Sequence, residues 1–73
     1  VFAQAEIVRV LTLVDRDRIY WERASGPSPE FAANMQIVQY LQQRGLIFAY
    51  DFGCCAKEFM LTGAGKAMLT ATN

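Results

Sequence analysis

The chain has 73 residues, enough for one domain and one small core, so we read 1–73 as a single unit. Seven lysines and arginines balance seven acidic residues, which withholds the overall basic bias that most nucleic-acid binders carry. With no histidine, no Cys-x-x-Cys, no Ser/His/Asp set and no paired carboxylates at useful spacing, the composition points away from zinc sites and enzymes, and no cofactor is expected.

A domain of this size buries only about 60% of the surface of its unfolded chain. A hydrophobic content of 53% therefore implies either a dense core or apolar surface kept for a partner, and a homodimer is one remedy. No run is long enough to span a bilayer and no signal-peptide pattern opens the chain, so the expectation is a cytoplasmic protein with no membrane association. Cys54 and Cys55 are neighbours, a spacing that strains a disulfide, so both thiols are expected to stay free.

Residues 1–14 carry Ala3, Ile7, Val10, Leu11 and Val14 at helical spacing. Phe2, Val8 and Leu13 fall off that stripe, either because the helix is buried on several sides or because it also packs on a second subunit. Asp15-Arg16-Asp17-Arg18 alternates in sign and reads as a solvated turn, with Asp15 or Asp17 able to cap a short helix over residues 18–24. Tyr20 and Trp21 would also suit a strand, but the helix is preferred here. Trp21, flanked by Arg18 and Arg23, is the one aromatic and basic cluster, although a core-edge position suits it better.

Ser25-Gly26-Pro27-Ser28-Pro29 breaks the chain. Ser28 is the expected N-cap of a long helix over residues 29–44, with Pro29 and Glu30 in its first turn. Phe31, Met35, Ile37, Val38 and Leu41 face the core. Gln36, Gln39, Tyr40 and Gln43 lie on the other side, and Gly45 stops the helix. Glutamine can pair with adenine in the major groove, but it is also a good helix former with no message, and both readings stay open.

Residues 46–52 form a strand, Gly53 turns the chain, and residues 57–61 return it. Counting alternation from Leu46 puts Leu46, Phe48, Tyr50 and Phe52 on one face with Phe59 and Leu61. Tyr50 and Phe52 then lie beyond the core, near the tip, where exposed aromatics suit a protein contact. Thr62 caps a closing helix. Gly63-Ala64-Gly65-Lys66 lacks the length and the Ser/Thr of a phosphate loop.

Leu41, Arg44, Gly45, Leu46 and Ile47, followed by a hairpin and then by Leu61, Thr62 and Gly65, resemble the C-terminal half of a winged helix-turn-helix domain of the MarR or PadR kind. The resemblance covers a little over half the chain. It implies an α+β fold with a three-helix core, a two-stranded wing and a short C-terminal helix. It also implies a small regulator that inserts the helix 29–44 into the major groove of double-stranded DNA. The candidate contacts are Gln36, Gln39, Tyr40 and Gln43 on bases and Arg44 and Lys57 on phosphate, with Phe2, Val8 and Leu13 in a dimer interface. The tip, Asp51-Phe52-Gly53-Cys54-Cys55-Ala56-Lys57, departs from the usual basic wing. It favours a competing class: a winged-helix module that binds protein through Tyr50 and Phe52, such as a small phage or plasmid protein that occupies a host factor.

Overall fold

The computed structural model describes residues 2–72, so Val1, inside the first predicted helix, lies outside the described residues. The fold is α+β, with four helices and one four-stranded antiparallel sheet. Its elements run α1 (Gln4–Asp15), β1 (Tyr20–Glu22), β2 (Gly26–Pro27), α2 (Pro29–Ala33), α3 (Met35–Gln43), β3 (Ile47–Asp51), β4 (Ala56–Leu61) and α4 (Gly63–Thr72). The strand order is β2-β1-β4-β3, so β3 forms one edge.

Ile7, Val10, Leu11 and Val14 bury the predicted stripe of α1 against Val38 and Leu41 of α3 and against Phe59 and Leu61 of β4. Two helices end in the same way. Asp17 and Gly45 both adopt positive φ, and the next residue's N–H reaches back five residues, from Arg18 to Leu13 (2.9 Å) and from Leu46 to Leu41 (3.0 Å). This left-handed closure satisfies carbonyls that a helix end otherwise leaves orphaned. Asp17 therefore terminates α1 and caps nothing after it.

The preferred helix over residues 18–24 does not form. Tyr20, Trp21 and Glu22 instead pair with Glu58, Lys57 and Ala56 of β4. An extended chain there places Trp21 edge-on to Phe31, with ring centroids 5.5 Å apart, and Phe31 in turn meets Phe59 at 5.2 Å. Trp21 stays 40% exposed, a core-edge residue.

The single helix expected over 29–44 is two helices joined at Asn34, whose φ of −119° and ψ of 18° interrupt the spiral. Asn34 is buried, and its side-chain amide donates to the Glu30 carbonyl at 2.8 Å, the local backbone competition that makes asparagine a poor interior helix residue. Arg9 of α1 donates to the Asn34 amide oxygen at 2.9 Å and fixes the joint from outside. The break turns Met35 outward, to 46% exposure, against its predicted core position. Ser28 caps α2 as expected: its hydroxyl accepts from the Phe31 N–H and donates to the Arg18 carbonyl, both at 3.1 Å.

In the hairpin, the alternation runs opposite to the predicted phase. Ile47 pairs with Leu61 and Ala49 with Phe59 on the core face, whereas Phe48 pairs with Met60 and Tyr50 with Glu58 on the outer face. Leu46 is buried ahead of the strand, where α4 crosses it, so counting from Leu46 misplaces every later side chain. Phe48 is consequently exposed rather than core.

Candidate functional site

Two surfaces gather the predicted site residues. The first is the outer side of α3. Gln36, Gln39 and Gln43 are all exposed, and their spacing sets them in one stripe that ends at Arg44. Tyr40 is half-buried beside this stripe. Phe2 stands edge-on to its ring at 5.4 Å, and the Arg44 guanidinium lies over the same ring and donates through Nε to the Tyr40 hydroxyl at 3.1 Å. Tyr40 therefore positions Arg44, and its own hydroxyl is engaged. Phe2 and Leu13 pack on the edge of the core, so this fold already gives these two residues an internal setting, while Val8 is half-buried on α1.

Lys57 is not part of that stripe. It stands in β4 between Asp51 and Trp21, close to the hairpin tip. Three arginines are engaged by carboxylates: Arg9 by Glu6, Arg18 by Glu30, and Arg23 by Asp51 at 2.9 Å. The Asp51 carboxyl lies below its ordinary pKa because it accepts the Gly53 N–H and faces Arg23. Glu30 is likewise lowered, by a backbone hydrogen bond and by Arg18. These pairs sit on the surface and contribute little stability each. Their larger effect is to offset positive charge that a phosphate backbone would otherwise attract.

The second surface is the outer face of the hairpin. Phe48 and Met60 are each 42% exposed, Tyr50 and Phe52 each 50%, and the Tyr50 and Phe52 rings meet at 4.9 Å. Tyr50 and Phe52 are exposed as expected, but for a different reason. They project from the outer side of the sheet, and so point away from the core instead of overshooting it. Sequence reasoning missed Phe48 and Met60 as members of this patch; the signal was the Ile47 and Leu61 pairing, which only a correct register reveals.

At the tip, Cys54 and Cys55 are joined as a disulfide, which corrects the expectation of two free thiols. The chain bends tightly just before them, with φ of 83° at Gly53 and the Cys54 N–H donating to the Phe52 carbonyl at 2.9 Å. A bond between adjacent residues ties no two elements to each other.

Clefts between the elements are open. One, lined by Gln4, Ile7, Tyr40, Arg44, Leu46 and Met68, borders the α3 stripe at its Arg44 end. Among the described residues no helix is long and apolar enough to cross a membrane. Comparison of the chain with protein-family models, with curated proteins and with solved structures finds no match.

Proposed function

We propose that this chain is a small winged-helix DNA-binding regulator in which α3 enters the major groove. The observation that carries the reading is the exposed stripe Gln36, Gln39 and Gln43, closed by an Arg44 that Tyr40 holds in place. Glutamine presents a donor and an acceptor that fit adenine N6 and N7, and Arg44 at the helix end would meet a phosphate. The succession of α1, α2 and α3, a hairpin and a closing helix supports this reading, with the further strand pair β1 and β2 standing between α1 and α2. A DNA-binding role also carries the expectation of a cytoplasmic location.

The test is a titration against a pool of random duplexes at low salt, where phosphate attraction is strongest. Binding is expected, and Gln39→Ala should weaken the selected sequence by about 1–3 kcal/mol while relaxing preference at one base pair. No binding at low salt would remove the reading.

A second reading, a protein-binding winged-helix module, rests on a specific observation. The arginines that neutral composition leaves available are partly spent on carboxylates, while Phe48, Tyr50, Phe52 and Met60 form an exposed apolar patch.

A further inference from the structure

β3 is an edge strand, paired with β4 alone. In an antiparallel ladder, alternate residues direct their N–H and C=O groups toward the neighbour and away from it. The Phe52 N–H donates to the Ala56 carbonyl and the Leu46 carbonyl accepts from Thr62, at 2.9 and 3.1 Å. Residues 46, 48, 50 and 52 thus bond inward to β4. Ile47, Ala49 and Asp51 turn three N–H and three C=O groups to the open edge.

Natural edge strands are normally blunted with lysine, proline or a bulge. Ile47-Phe48-Ala49-Tyr50-Asp51 has no lysine and no proline, and its register with β4 runs unbroken through five pairs. From Phe48 onward every residue of the strand is exposed.

We propose that this edge is an interface with a second copy of the chain, formed by antiparallel pairing of β3 with its own symmetry mate about Ala49. Three observations select that occupant. The strand is self-complementary in register: with the twofold at Ala49, all five residues pair, and the outward-facing groups of Ile47 meet those of the partner's Asp51. Phe48 then lies opposite the partner's Tyr50 in a non-hydrogen-bonded pair, the closer kind, where aromatic pairs stabilise a sheet most. The two exposed patches join across the axis into one. The inference is independent of whether the protein binds DNA.

The test is sedimentation equilibrium of the whole chain with Ala49→Pro and Ala49→Lys. Proline at 49 removes an N–H that faces the open edge and leaves the β4 ladder intact. The wild type is expected to be a dimer at micromolar concentration, with each variant weakened at least tenfold while its circular dichroism is unchanged. Hydrogen exchange of the wild type gives a reading that needs no variant: the Ile47, Ala49 and Asp51 amides should exchange slowly in concentrated solution and quickly on dilution. A wild type that stays monomeric at high micromolar concentration would overturn the proposal. So would a dimer that survives both substitutions, or amides at 47, 49 and 51 whose exchange ignores concentration.

Discussion

Gly65 lies against the carbonyl of Leu46 so closely that a Cβ added to it would stand 3.1 Å from the carbonyl carbon and nearer still to the oxygen. α4 can cross the start of β3 only because residue 65 has no side chain. Thr62 completes the clamp: its hydroxyl donates to the Gly45 carbonyl at 2.7 Å and accepts from the Gly65 N–H at 3.1 Å, and its own N–H donates to the Leu46 carbonyl. Leu61, Thr62 and Gly65 thus have a physical role here: they lock the closing helix onto the exit of α3.

Gly65→Ala should therefore destabilise the fold although alanine is the better helix former. The contact is with backbone, which cannot swing aside, and overpacking of this kind costs about 1–3 kcal/mol. Thr62→Ala should cost about 1 kcal/mol through the lost cap, and Thr62→Ser should recover most of it. Urea denaturation measures both. A Gly65→Ala protein more stable than wild type would show that α4 does not seat on Leu46.

Ser28 is buried, and its hydroxyl joins the Phe31 N–H to the Arg18 carbonyl, linking α2 to the entry of β1. Ser28→Ala should cost about 1–2 kcal/mol, since the cap bond is lost and the buried groups it served lose their partner. Thermal melts that place Ser28→Ala within error of wild type would contradict the assignment.

Asp51 and Glu30 both have lowered pKa values in the fold, Asp51 through Gly53 and then Arg23, Glu30 through a backbone N–H and then Arg18. A carboxyl depressed on folding adds stability that is complete above its unfolded value, about 4, and is lost as pH falls through the folded value. Stability should therefore be flat from pH 7 to about 5 and decline below about 4. Asp51→Asn should lower stability slightly at pH 7 and remove the matching part of the acid-side decline, so that variant and wild type converge in acid. An unchanged slope below pH 4 in Asp51→Asn would locate the acid sensitivity elsewhere.

Tyr50 and Phe52 meet each other on the solvent side of the sheet and are each half exposed. The double change Tyr50→Ala with Phe52→Ala should leave the melting temperature of dilute, monomeric protein nearly unchanged. A partner seated on that face would in contrast lose affinity. A fall of more than about 10 °C, which corresponds to well over 1 kcal/mol in a domain of this size, would mark both rings as structural.

Several elements were legible in the residues alone because their causes are short-range. Ser28 before Pro29, Gly45 after a helical stripe, Thr62 before a glycine-rich helix and the stripe Ile7, Val10, Leu11 and Val14 each act within a turn or two of chain, and each appears where its chemistry places it. What tertiary structure decided is non-local. Whether residues 20–22 became strand depended on β4, 36 residues away, offering a free edge. The joint at Asn34 is also held from another helix, by Arg9. The facing of Phe48 followed from the Ile47 and Leu61 pairing, because one residue of slip exchanges the two faces of a strand. The glutamine stripe on α3 was visible from spacing alone. The carboxylates that engage Arg9, Arg18 and Arg23 were not all visible, since Glu30 and Asp51 reach their partners across the fold rather than along one helix.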